Sequence, residues 1–513
     1  MEAAIRLTKL EKLNTKLLCA LFLLTIASFS AYAQSFPNKD SLNVKFAIGT
    51  ATSTEPSFLP FYLVNDRYGL VDEGDNVFVR GNLQYQKDIL DQVDFTTGFS
   101  FRNDLLNTYF LRLDHKWLYL RIGSQKEQRG GLEESLSSGS MGISRNARPI
   151  PMISIGIDEY VDVPFTNGYF KTKGHLDHGW FESDRYISNA LLHSKSFYLK
   201  LDLEDEIGWT AASGVVHFAQ YGGISPQGDQ QPSSFSDFLR VFLGSGIPNP
   251  DGTTAGESNG LGNHLGIIET TVTHRLGDHK LTINYQKPFE DLGGLQYVSL
   301  TDYLFGLEWS LPKKESPVNT IYLEYIQTKW QGGPGLPDPT NEVPTETENF
   351  GYSFGGRDDM YNNWLYRSGW TYGGQVIGNP LFLTHERVQE FLGSFPDYTV
   401  SIASNRLRAV HLGFRGKVSS KLGYEGLFTY TQNFGTYAGL YEGRFEWDGI
   451  INDTSFDYVF RPMREQFYSQ VKLVYENVFD DMPIHLGIRL AYDFGDLYNL
   501  FGSEISFVYN LTK

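Results

Sequence analysis

The chain has 513 residues, a formal net charge of −17, 15% aromatic and 20% charged residues, and a single cysteine. With 31 Tyr and 37 Phe it carries too many aromatics for a disordered polymer. Sixty acidic against 43 basic residues leave no basic footprint for a nucleic-acid backbone, so no nucleic acid is expected as a partner.

Arg6, Lys9, Lys12 and Lys16 precede an apolar run from Leu17 to Ala27, and Ala31-Tyr32-Ala33 follows. Basic, apolar and small-residue regions in that order predict a secretory signal peptide over 1–33, followed by one domain over 34–513. Leu18 stands where a lipoprotein leader needs a small residue before Cys19. Cleavage after Ala33 removes the only thiol, which excludes structural disulfides and thiol catalysis.

From Val44 onward, segments of about ten residues alternate apolar and polar positions, the period of a strand with two unlike faces. Phe197, Leu199, Leu201 and Leu203 oppose Tyr198, Lys200 and Asp202. Phe305, Leu307, Trp309 and Leu311 oppose Gly306, Glu308 and Ser310. The clearest case sets Ile484, Leu486, Ile488, Leu490, Tyr492 and Phe494 against His485, Gly487, Arg489, Ala491 and Asp493. The last segment sets Ile505, Phe507, Tyr509 and Leu511 against Glu504, Ser506 and Asn510. Strands of a soluble sandwich are shorter. Long strands with aromatics at the ends of the apolar face predict an all-β fold, a transmembrane antiparallel β-barrel of about 18 strands in the cell outer membrane. The last strand is expected to close against the first.

Long interruptions are expected at 124–152, 160–195, 220–263, 331–363, 373–404 and 434–462, while strands near 407–418 and 424–432 are joined tightly. Long loops on one side and short turns on the other are the habit of such barrels, with the long loops extracellular. Helical spacing predicts a few short helices, at 236–243 and 384–392.

Enzyme motifs find poor context. Gly351-Tyr352-Ser353-Phe354-Gly355 matches a nucleophile elbow, but a polar stretch with Pro344 precedes it where a buried strand is required. His175 and His178 form an H-x-x-H that would need a loop to present both rings together; polar surface is the simpler reading. The acidic run Asp202, Glu204, Asp205 and Glu206 before Gly208 reads as a solvated turn. No catalytic residue, metal or cofactor is expected.

Aromatic and polar residues gather instead in one loop: Arg357, Tyr361, Trp364, Arg367, Trp370 and Tyr372, with Trp330 upstream. Aromatic faces stack on the C–H faces of sugars while Arg, Asn and Asp pair with hydroxyls and carboxylates, so these seven are the candidate glycan-binding set. For any one of them, girdle or loop packing is the plainer reading.

Four stretches, His178-Gly179-Trp180-Phe181, Gly262-Asn263-His264-Leu265-Gly266, residues 293–309, and Ser368-Gly369-Trp370-Thr371-Tyr372-Gly373-Gly374 through Ile377-Gly378-Asn379-Pro380-Leu381-Phe382, resemble the capsule assembly Wzi family. The resemblance implies a monomeric eighteen-stranded outer-membrane lectin that holds capsular polysaccharide or exopolysaccharide. Outer-membrane lipids and the barrel-assembly machinery are then expected partners. The alternative is a diffusion porin, and a third class is an outer-membrane hydrolase. In the first two the lumen is polar and carries both signs: Arg80, Arg112, Asp114, Lys200, Asp202, Glu308, Glu324, Arg489 and Asp493.

Overall fold

A computed structural model describes residues 40–127, 136–248, 254–255, 260–290, 301–311, 316–331, 359–392, 401–436, 445–446, 449–450, 459–479 and 482–512. The expected leader at 1–33, the Gly351–Gly355 motif and Arg357 lie outside these residues.

Eighteen strands form one antiparallel sheet. The first nine are β1 (Asp40–Ser53), β2 (Asn76–Leu90), β3 (Val93–Arg102), β4 (Leu105–His115), β5 (Leu118–Ser124), β6 (Met152–Asp162), β7 (Phe170–Trp180), β8 (Leu191–Leu203) and β9 (Trp209–Tyr221). The second nine are β10 (Asn263–Leu276), β11 (His279–Phe289), β12 (Tyr303–Ser310), β13 (Thr320–Gln327), β14 (Leu407–Lys417), β15 (Leu422–Asn433), β16 (Arg464–Tyr475), β17 (Ile484–Gly495) and β18 (Leu500–Thr512). Each pairs with its chain neighbour, and β1 pairs with β18 from Asn43 opposite Thr512 to Ser53 opposite Gly502, which closes the barrel. Closure leaves no unpaired strand edge, the condition for crossing a bilayer with strands.

The alternation does what the residues dictate. Leu490, Tyr492 and Phe494 of β17 are exposed on the outer wall, while Ala491 and Asp493 between them are buried. The same holds for Ile505 and Phe507 against Glu504 and Ser506 in β18.

The connections are sorted by end. The connections that follow β1, β5, β9, β13 and β15 all leave the barrel at one rim, the loop end. The other rim has the shorter connections, from tight turns at 91–92, 116–117, 277–278 and 418–421 up to 311–319, and it also carries both ends of the described barrel. Among the described residues the short helices are α1 (Phe61–Val64), α2 (Glu204–Ile207), α3 (Phe235–Leu243) and α4 (His385–Leu392). α3 and α4 stand where helical spacing placed them, and α2 is the acidic turn before Gly208, which closes it in the left-handed region at φ +73°.

One expectation is corrected. Segment 160–195 is not a single interruption, because β7 runs through it. Consequently His175 and His178 lie on a strand, not a loop. Three residues apart along a strand, they point to opposite faces and cannot share a metal ion. His175 faces inward, bonded to Ser194 and Ser196 at 3.0 and 2.6 Å, and His178 faces out against Trp180.

Candidate functional site

The lumen is built from the inward residues of every strand. Arg112 holds Asp114 at 2.9 Å and reaches Asp158 at 2.6 Å. Asp202 takes Lys171 and Lys200 at 3.0 and 3.1 Å. Glu504 receives a forked pair of bonds from Arg67 at 2.7 and 3.1 Å, with Arg80 at 3.3 Å and Arg489 at 3.7 Å. Charges that would be costly in a dry interior are thus paired, and forked guanidinium geometry adds direction. Toward the tight-turn rim the lumen keeps a polar cavity of about 770 Å³, lined by Thr282, Asn284, Glu308, Arg415, Lys417 and Lys472. A second, of about 320 Å³, is lined by Arg112, Arg121, Asp158, Lys173 and His175.

Toward the loop end the lumen is filled. Segments 59–68, 136–150, 359–392 and 401–406 fold inward and share one hydrophobic core with the inward faces of the strands, including Phe61, Met141, Phe218, Ile267, Tyr361, Trp370 and Leu381. Polar bonds fix these segments around the wall. The Phe61 amide donates to Asp493 at 2.6 Å, Met141 N donates to Gln286 at 2.9 Å, and Gln220 donates to the Gly369 carbonyl at 2.9 Å. Ser137 and Ser138 bond Glu324, and His411 pairs with the Leu136 carbonyl at 2.6 Å and with the Tyr62 hydroxyl at 3.2 Å. Backbone that enters a closed lumen must find such partners, and strands on opposite sides of the barrel supply them. Burial raises the Asp66 carboxyl to about 6 even beside Arg145, and raises Asp359 to about 6 even with Asn405 and Asn362 bonding to it.

The candidate glycan set divides on this plug. Tyr361 is 1% and Trp370 2% exposed. The Tyr361 hydroxyl bonds the Met141 carbonyl, and Trp370 Nε1 donates to the Gly142 carbonyl at 2.8 Å. Both rings are consumed by packing, which corrects their place in a ligand-stacking set. Their segment turns inward because its apolar residues gain more by burial in the barrel than in water.

Trp364 is 60% exposed. Its neighbour Arg367 bonds the Trp364 carbonyl at 3.1 Å and lies 4.8 Å over the ring of Tyr186. Tyr372 is half-buried, with Arg148 at 5.5 Å from its ring centre; burial lifts its phenol to about 12. It is held by a two-residue hairpin in which Thr371 faces Val376 and Tyr372 faces Gln375. The turn residues Gly373 and Gly374 both have positive φ, +59° and +77°, so the Gly-Gly pair is what this tight ribbon requires. Trp330 is half-buried, its amide on Asp302 at 3.0 Å and Lys329 at 4.9 Å from its ring.

Sequence reasoning missed the contribution of 181–190, the connection from β7 to β8. Tyr186 N donates to Ser368 at 2.9 Å, Arg185 donates to the Gly369 carbonyl at 2.7 Å, and Glu182 accepts from Gly373 N at 3.0 Å. The only local signal was the aromatic pair Trp180-Phe181 at its start. The loop end therefore presents Trp364, Arg367, Tyr186, Tyr372, Arg148 and Glu182 on backbone tied to the plug. Such a surface can stack a pyranose ring and pair with its hydroxyls or carboxylates.

The fold is similar to that of Wzi from Escherichia coli, an outer membrane protein involved in group 1 capsule assembly and a carbohydrate-binding β-barrel. The TM-score is 0.50 at 12% identity, covering 90% of this chain and 83% of that one. Two Pseudomonas aeruginosa proteins, OccK11 (OpdR) and OccK5 (OpdH), align at a TM-score of 0.45 and 9% identity, covering 93% of this chain and 97% and 99% of theirs. No protein-family model and no curated protein matches the sequence. Closure, alternation and the sorting of loops by end, with the likeness to Wzi, make this chain an eighteen-stranded β-barrel of the outer-membrane type.

Proposed function

We propose that this chain resides in the cell outer membrane and holds capsular polysaccharide or exopolysaccharide on its loop end. The observation that carries the reading is the filled lumen. Four inserted segments with a common hydrophobic core turn the loop end into a fixed platform, and rigid aromatics on a platform suit retention of a polymer better than its passage. The exposed Trp364 beside Arg367 and Tyr186 supplies the stacking and charged groups. The fold likeness to Wzi and the stretches at 262–266 and 368–382 support the same reading. The role is holding without turnover.

Binding of the host strain's purified polysaccharide to the purified barrel tests it. Trp364→Ala with Arg367→Ala should weaken binding several-fold, since stacking contacts are worth about 0.5–1.5 kcal/mol each, while the barrel keeps its heat-modifiable mobility. Binding that is absent, or unchanged in the double variant, contradicts the assignment to this surface.

A second reading, a diffusion porin, is favoured by the polar cavity of about 770 Å³ near the tight-turn rim. Single-channel recording separates the two: the plugged platform gives no steady open level, a porin does.

A further inference from the structure

The helix α3 lies outside the barrel, not over its mouth. On β8 the outward series is set by Phe197 and Leu199, both exposed, so Leu191, His193 and Lys195 point outward too. On β9, Val215 sets the same series for His217, Ala219 and Tyr221. The helix packs on this outward face: Val241 clusters with Ala219 and Tyr221, and Phe238 and Phe242 stand 5.4 and 5.5 Å from the ring of His193. Lys195 donates to the Phe242 carbonyl, a cation at the C-terminal end of the helix.

Beneath it lie polar groups that a bilayer would reject. His178, His193, His217 and His264 share the outward face of four consecutive strands, and His217 Nε2 meets His264 Nδ1 at 2.9 Å. His193 is fully buried by the covering rings. Imidazoles facing hydrocarbon are costly, and Phe238 and Phe242 of the helix cover His178 and His193.

The other side of the helix is also apolar. Phe235, Leu239 and Leu243 are 76%, 44% and 74% exposed. At about 100° per residue, these three continue the wall-facing Val241, Phe238 and Phe242 into one apolar arc of about 200°, leaving Ser236, Asp237 and Arg240 on the remaining side. Both ends are firmly built: Ser234 and Asp237 form a capping box, and Gly244 closes the helix at φ +66°.

We propose that α3 is an interfacial anchor whose edge of Phe235, Leu239 and Leu243 enters the acyl chains of the outer leaflet. Three observations select lipid as the occupant. The edge is continuous with the exposed apolar wall of the same strands, at Phe197, Leu199 and Val215; the helix is backed by that wall at the rim; and its polar residues fall on a separate side. A helix with this division lies in the interface with its apolar face about 5–10 Å deep. The anchor fixes the height and tilt of the barrel at the rim from which the loops rise.

The test uses the full chain with Cys19→Ser, reconstituted in phosphatidylcholine and phosphatidylglycerol vesicles. Spin labels go at Leu239→Cys and Leu243→Cys, both exposed and harmless to packing, with Phe197→Cys as a lipid-facing reference and Arg240→Cys on the polar side. Labels at 239 and 243 should favour oxygen over a soluble nickel chelate as position 197 does, at a depth of about 5–10 Å, and the label at 240 should favour nickel. Nickel access at 239 and 243 equal to that at 240 overturns the proposal. Exclusion of both relaxants at 239 overturns it as well, and points to a second protein on this face. No polysaccharide is present, so failure of the glycan reading leaves the result unaffected.

Discussion

Trp370 donates its indole N–H to the carbonyl of Gly142 at 2.8 Å, joining two loops 228 positions apart in the chain. That bond sits at the centre of the plug, with the indole 5.2 Å from Phe218 of β9 and 6.5 Å from Phe181. An aromatic in such a place is a structural member, and its removal should be felt by the plug before the barrel.

Trp370→Ala is expected to cost about 3–5 kcal/mol of local stability, the range for emptying a large aromatic from a core. Hydrogen exchange should show segments 136–150 and 359–370 losing protection while the strands keep theirs. Equal loss in strands and plug would show that the two fold as one unit.

Trp364→Ala should leave stability within about 0.5 kcal/mol, because the side chain is 60% exposed. Thermal unfolding checks this. A large drop would make Trp364 structural and remove it from the proposed glycan surface.

Glu504 is the shared counter-charge of Arg67, Arg80 and Arg489 inside the barrel. Glu504→Gln leaves three cations facing one another, and breaking a buried pair this way costs about 3–5 kcal/mol. The urea midpoint of unfolding should fall. An unchanged midpoint would mean that water reaches the cluster and screens it.

Asp66 and Asp359 are raised to about 6 by burial, above their usual 3.8. A carboxyl with a raised folded pKa binds its proton more tightly when folded, so the folded plug is favoured at low pH. Its stability falls as pH rises from about 4 to about 6, then levels off. Hydrogen exchange of 59–68 and 359–370, corrected for intrinsic rates, should show greater protection at pH 5 than at pH 7. The opposite order would show that the ion pair with Arg145 outweighs burial.

The barrel was legible in the sequence wherever its two faces differ chemically. β17 and β18 alternate cleanly because lipid and lumen select opposite residues at adjacent positions. β7 was not legible: its outward series is Phe170, Thr172, Gly174, Leu176, His178 and Trp180, and the middle of that series lacks apolar contrast with Lys171, Lys173, His175 and Asp177. Part of the missing contrast is explained by α3, which covers His178 and lets a polar ring stand on the outer wall.

The site was half legible. The lumen charges Arg112, Lys200, Asp202, Glu324, Arg489 and Asp493 follow from alternation, which fixes their face. The fate of the aromatic loop does not, since Tyr361, Trp364 and Trp370 share one segment and one composition while only Trp364 is open to a ligand. Which ring turns inward depends on partners such as Met141 and Gly142 that lie far off in the chain.

The most direct test of the central claim is the partition of surface polysaccharide between cells and medium, in a strain lacking this gene, in its parent, and in the deletion strain carrying Trp364→Ala with Arg367→Ala. Retention predicts polysaccharide shed into the medium by the deletion strain with total synthesis unchanged, and only partial recovery by the double variant. Unchanged partition in the deletion strain contradicts it.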